Sequence, residues 1–265
     1  LNRRFIIDAH AHTGYPKVIF SPEAGAIEML NRMNVLGIES AINLCSHRVF
    51  TQPLLPELDT AREEYLSSGG RIFYCGFFNP HRAEEDLAAL HTAAQWPGFA
   101  GIKIHPSINM VHADDPRYEA VWKFASDNDL PIVAHTWSVS PYNPAQVFST
   151  PDKFEIWVKR YRQTKFVIGH SGGRGAGRVD AVRMCNVYEN VYMDCAGDIF
   201  CANYFESSVL DVPENKVLFG SDFPWIDHRA HLMRVFVSSI GENRKLKILR
   251  ENAIEVYALD RVGIS

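Results

Sequence analysis

Short apolar runs and longer amphipathic stretches alternate along the chain from its first residues. The runs are Phe5-Ile6-Ile7, Ala41-Ile42-Asn43-Leu44, Arg71-Ile72-Phe73-Tyr74 and Gly101-Ile102-Lys103-Ile104. Four more follow at Pro131-Ile132-Val133-Ala134, Phe166-Val167-Ile168-Gly169, Val191-Tyr192-Met193-Asp194 and Val217-Leu218-Phe219-Gly220. Runs this short, rich in Val, Ile and aromatic residues, read as buried strands. Between them, residues 22–33, 57–67, 83–94, 116–127, 151–162, 175–187 and 202–210 read as helices, and a final stretch, 228–259, is broken near Gly241. Ser21-Pro22-Glu23, Thr150-Pro151-Asp152 and Asp115-Pro116 each place a capping side chain before a proline, a helix-start signal. Parallel strands need a crossover that a helix supplies, so this alternation predicts parallel pairing. Eight such units in one domain of 265 residues fit an α/β fold of the (β/α)8 TIM-barrel type; an open doubly wound sheet is the alternative.

Composition narrows the picture further. With 46% hydrophobic and 22% charged residues, the chain can fill a large core. Its 27 basic and 31 acidic residues leave a net charge of -4, and no basic run stands out, so a partner held by nucleic-acid phosphates is not expected. Five widely spaced cysteines without a CxxC pair suit a reducing compartment. No apolar run approaches the roughly 18 residues of a membrane span, so the expectation is a cytoplasmic protein acting on a small molecule.

The chemistry gathers where strands end. The first strand continues as Asp8-Ala9-His10-Ala11-His12, and a period of two turns Asp8, His10 and His12 the same way, into a barrel. Strands five and six end in His135 and His170, and the eighth in Ser221-Asp222. A lone histidine here would be a hydrogen-bonded core residue. Four imidazoles and a carboxylate on the ends of four strands instead converge on the rim that carries barrel active sites. Such a nitrogen-rich set with one hard oxygen suits Zn(II), with Mn, Fe or Co as alternatives.

These motifs, with Ile168-Gly169-His170-Ser171-Gly172-Gly173, Gly220-Ser221-Asp222-Phe223-Pro224 and the closing Asn252-Ala253, resemble the amidohydrolase superfamily. The closest likeness is to its amidohydrolase-related branch, which includes 2-amino-3-carboxymuconate-6-semialdehyde decarboxylase and γ-resorcylate decarboxylases. The resemblance implies one divalent metal held by His10, His12, His135 and Asp222, with His170 as an unligated base. Lys103 and His105 face inward on strand four. In binuclear branches a lysine there is carboxylated and bridges two metals with the strand-five and strand-six histidines. The surrounding pattern favours one ion, which leaves Lys103 as a cation facing substrate. Asp222 and His170 would then activate a metal-bound water against an ester, lactone or amide-like carbonyl, making the protein a hydrolase. A non-oxidative decarboxylase of a small unsaturated or aromatic carboxylate is the alternative, and a homo-oligomer is a family-level expectation.

Around the rim, His105, Trp137, Tyr142 and Trp225 are candidates for the substrate wall, and Arg48 and Arg174 for a carboxylate clamp. Loop packing for the aromatics and solvated surface positions for the arginines stay open. Asp194 and Asp198, near strand seven, are candidates for orienting ligands. His81, His91, His112 and His231 have no motif partner, and surface or helix positions are expected for them.

Overall fold

A computed structural model of the chain describes residues 5–14, 21–46 and 53–264. Eight strands run in ring order: β1 (Ile6–Thr13), β2 (Ile38–Ser46), β3 (Ile72–Phe78), β4 (Phe99–Ile104), β5 (Ile132–Ala134), β6 (Phe166–Ile168), β7 (Val191–Asp194) and β8 (Val217–Leu218). Each pairs in parallel with the next. The ring closes beyond the short β8, where Ala9 N donates to Phe219 O (2.9 Å) and Asp222 N to His10 O (2.8 Å). The fold is a (β/α)8 barrel.

The helices are α1 (Ala26–Leu36), α2 (Leu54–Ser67), α3 (Ala83–Ala93), a single turn α4 (Pro106–Asn109), α5 (Glu119–Asp127), α6 (Glu155–Arg160), α7 (Ala176–Val187), α8 (Tyr204–Leu210), α9 (His228–Val237), α10 (Glu242–Leu246) and α11 (Asn252–Tyr257). Alternation along each strand sorts apolar side chains into two layers. Ile7, Ile42, Phe73, Val133, Val167 and Leu218 belong to a buried cluster with a member from each of the eight strands, which is the barrel interior. Tyr257 of α11 plugs it from below and donates its hydroxyl to Ala9 O (3.1 Å). A larger cluster joins the outward faces, such as Ile102, Ile132 and Phe166, to Met29, Leu90 and Trp122 on the helices.

Three local expectations need correction. Ser21-Pro22 does not open the first helix; α1 starts at Ala26 behind Gly25, and the Ser21 hydroxyl bonds only locally, to Glu23 O (3.5 Å). Thr150 makes no side-chain cap, and a 3₁₀ turn (Pro151–Phe154) precedes α6. Asp115 does cap, accepting from Arg117 N at 3.0 Å. Asp8 does not face inward. The β1–β2 register shifts between Asp8 and Ala11, so the period of two fails there and Asp8 turns toward the helical layer. Its carboxylate accepts from Ser221 N (3.0 Å) and Ser221 Oγ (2.5 Å) and lies 3.3 Å from His228 Nε2 on α9. His231, also on α9, is buried.

Candidate active site

The bulge in β1 brings His10 and His12 to the rim together, and the turn after β8 brings Asp222 to meet them. Asp222 sits at φ 61°, in the left-handed region, where its backbone N–H reaches His10 O. Asp222 Oδ1 lies 3.4 Å from His12 Nε2 and 3.7 Å from His10 Nε2. One ligand atom from each of the three residues falls within 4.8 Å of the others. His10 Nε2 is buried without a hydrogen-bond partner, although its other nitrogen, Nδ1, is held by Asp194 Oδ2 at 2.7 Å. An imidazole oriented by a carboxylate, with its second nitrogen bare beside another imidazole and a carboxylate, is the arrangement a divalent cation fills. The donor set therefore fits a metal ion.

Asp194 is the anchor of this corner. Besides His10, it takes His170 N (2.8 Å) and Ala196 N (3.1 Å) on Oδ1, and its backbone carbonyl takes the Ser171 hydroxyl (2.7 Å). These bonds hold His170 and Ser171 at φ 60° and 50°, conformations that cost of order 1–3 kcal/mol and persist where the surroundings enforce them. Gly197 is required beside them, because a Cβ there would approach His170 Nδ1 to 2.8 Å. Asp198, by contrast, orients nothing in the cluster; it lies in the outer vestibule, 3.7 Å from Arg174 Nη2.

His135 lines the same cavity but stands outside the three-residue cluster. Its Nδ1 faces His170 Nε2 at 3.1 Å and its Nε2 faces Gln146 Oε1 at 3.2 Å. Its ring stacks on His105, centroids 3.9 Å apart. Burial holds His10, His105 and His170 well below the ordinary histidine pKa, and His135 at about 3. Burial alone would do the same to His12, but Cys45 and Asp222 push it up to about 10. Burial also lowers the pKa of Lys103, which Cys45, Asp194 and Asp222 partly restore.

The space above the barrel core has two parts. An inner cavity of about 200 Å³ is lined by His10, His12, Lys103, His105, His135, His170 and Asp222, with Cys45, Ile108 and Trp225. An outer vestibule of about 720 Å³ shares His135, His170, Asp222 and Trp225 and adds Trp137, Tyr142 and Arg174. Tyr142 is 99% exposed, so it stands at the mouth and walls little. Arg48 lies outside the described residues. Motif reading missed Cys45, Ile108 and Gln146: the first is an ordinary strand-end residue, the second lies in the single turn α4, and Gln146 sits in a 3₁₀ turn, with no motif to mark any of them.

Fold and site together define a (β/α)8 barrel whose rim carries a donor set that fits a divalent cation. The family model described as amidohydrolase matches residues 7–259, and the chain belongs to that family. No curated protein matches the chain. Among solved structures it is similar to 2,6-dihydroxybenzoate decarboxylase from Rhizobium, at TM-score 0.75 and 17% identity over 97% of this chain and 99% of that one. It is similar to 5-carboxyvanillate decarboxylase from Sphingomonas paucimobilis, at TM-score 0.69 and 13% identity over 96% and 99%. A third is a dihydroxybenzoic acid decarboxylase from Polaromonas sp. JS666 with bound manganese and 2-nitroresorcinol, at TM-score 0.68 and 16% identity over 98% of each chain. At these identities the likeness speaks for the fold. Among the described residues, no helix is long and apolar enough to cross a membrane.

Proposed function

We propose that the protein is a metal-dependent, non-oxidative decarboxylase of a small aromatic or unsaturated carboxylate. This departs from the hydrolase expected from the motifs, because the metal-binding motifs are common to both chemistries. What carries the reading is the full-length likeness to barrels named as decarboxylases of hydroxylated benzoic acids, one of them with manganese bound. The inner cavity supports it: at about 200 Å³ it exceeds the roughly 150 Å³ of an engineered cavity that takes benzene, so one substituted ring fits.

In this reading His10, His12 and Asp222 hold the ion, with His135 beside them. A divalent ion there supplies a Lewis acid that anchors and polarises a substrate oxygen. Asp194 orients His10 through Nδ1 and fixes the backbone of His170. Trp137 and Trp225 cover the approach from the vestibule and limit water around the ring. Net decarboxylation breaks the bond to the carboxylate, leaves its electron pair on the ring carbon and puts a proton in its place. Asp222 and His170 line both the inner cavity and the vestibule, where they can hold and pass that proton. The test is CO2 release from a panel of hydroxybenzoates by Mn(II)-loaded protein. Release that disappears in Asp222→Asn is the expected outcome; hydrolysis of a lactone or ester panel with no CO2 from any acid would overturn the reading.

A further inference from the structure

Asp8 is a buried carboxylate that neither the ion nor the cavity uses. It lies fully inside the protein, and among the described residues no lysine or arginine pairs with it. A carboxylate in such a place persists only where donors match it. Here Oδ1 accepts the backbone N–H groups of Ser221 (3.0 Å) and His10 (3.2 Å), and Oδ2 accepts the Ser221 hydroxyl (2.5 Å). His228 Nε2 stands 3.3 Å from Oδ2. His228 is itself buried, and neither of its nitrogens has another hydrogen-bond partner among the described residues. Asp8, Ser221 and His228 line neither the inner cavity nor the vestibule.

Ser221 and His228 are the two ends of one loop. Asp8 therefore meets the chain where it leaves β8 and again where it enters α9, and Asp222 and Trp225 lie between those points. Within the loop, Trp225 N (2.9 Å) and Ile226 N (3.3 Å) both donate to Asp222 O, so the ion-facing carboxylate and the indole ride on one turn. Phe223 ties that turn back to the same corner. Its N–H donates to Ser221 Oγ (3.0 Å), its carbonyl accepts His12 N (2.7 Å), and its ring stacks on His228 with centroids 4.7 Å apart. Trp225 lines both the inner cavity and the vestibule. We propose that Asp8, Ser221 and His228 are positioning residues, a buried clamp behind the site that sets Asp222 against His12 and Trp225 over the cavity at once. Ion affinity and the covering of the substrate space are then coupled through residues that touch neither. The proposal rests on the donor set for the ion and is independent of the reaction that follows.

The experiment measures Zn(II) affinity by titration and the exposure of Trp225 by acrylamide quenching, taken as the difference from Trp225→Phe in the same background. Wild type is compared with Ser221→Ala, His228→Phe and His228→Gln, each checked for folding by circular dichroism. His228→Phe keeps a ring to stack on Phe223 and removes the nitrogen that faces Asp8. It and Ser221→Ala should each weaken Zn(II) binding about tenfold and raise the quenching of Trp225 about twofold or more. His228→Gln, which returns an N–H donor, should stay within about threefold of wild type in both readouts. A role in folding alone would lower the unfolding midpoint and leave both readouts of the folded protein unchanged; that result in either disruptive variant would overturn the proposal. So would a loss of Zn(II) affinity with Trp225 unmoved, or the reverse. If neither variant folds, wild type decides. Saturating Zn(II) fixes Asp222 and should lower the quenching of Trp225 about twofold, and unchanged quenching, or no binding of Zn(II), would overturn the coupling. Bound Zn(II) with Trp225 protected but no CO2 released from any acid would remove the decarboxylase reading and leave the clamp standing.

Discussion

The two ends of the barrel are built from the same eight strands and obey different rules. At the lower end, Phe73, Ala100 and their neighbours fill the interior with apolar side chains, and the hydroxyl of Tyr257 is satisfied by Ala9 O. At the rim, three imidazoles, an ammonium and a carboxylate are buried together, and His10 Nε2 and His170 Nδ1 have no hydrogen-bond partner. His170, Ser171 and Asp222 also sit in the left-handed region there. Burying unmatched polar groups and strained backbone opposes folding, so the rim spends stability that the lower end supplies. Substitutions at the two ends should therefore separate stability from ion binding.

The largest separation is expected from Phe73→Ala. Removing this buried interior side chain should cost about 3–5 kcal/mol in denaturant unfolding. Metal affinity, measured by titration of the folded protein, should stay within about twofold. If affinity falls with stability, the two ends are not independent. Asp194→Asn sharpens the contrast from the other side. It keeps an oxygen near His10 but removes the charge, and should lower metal affinity about 10- to 100-fold, the usual penalty for losing a ligand's supporting partner. Unchanged affinity would show that His10 needs no orienting carboxylate.

A smaller, graded effect concerns pH in the metal-free protein. His10, His105, His135 and His170 are held neutral by burial, His135 down to about 3. The unfolded chain takes up protons on these rings below about pH 6.5 and the folded chain does not. Stability should thus fall as pH drops from about 6.5 towards 3, by up to about 1.4 kcal/mol per pH unit for each ring. His12 acts in the opposite sense: with its pKa raised to about 10, its contribution is complete below 6.5 and lost as pH rises towards 10. Urea midpoints between pH 4 and 9 should pass through a maximum near neutrality. A midpoint flat on the acid side would contradict neutral burial of the four rings.

How much of this was legible in the sequence follows the same division. The strands were readable because buried parallel strands are short, continuous apolar runs, and all eight fall where those runs stand. His10, His12, His135, His170 and Asp222 were readable because each ends such a run. The turn of Asp8 away from the interior was not, since the β1 bulge depends on pairing with β2, where Asp8 meets Ala41, and period-two counting assumes no bulge. Helix starts failed at Ser21 and Thr150, where a proline after a hydroxyl residue opened a loop or a 3₁₀ turn instead. Lys103 could be placed on the inward face, but its burial in one small cavity with His10, His12 and Asp222 comes only with the closed ring.

The most direct measurement is the isotope pattern of the product. Mn(II)-loaded protein would be given a hydroxylated aromatic acid in deuterium oxide, and separately in water labelled with oxygen-18. One deuterium at the carbon that lost the carboxylate, with no labelled oxygen in the aromatic product, is the expected result. No deuterium on the ring of any such acid, with labelled oxygen instead built into the acid released from a lactone or ester, would contradict decarboxylation and return the protein to hydrolysis.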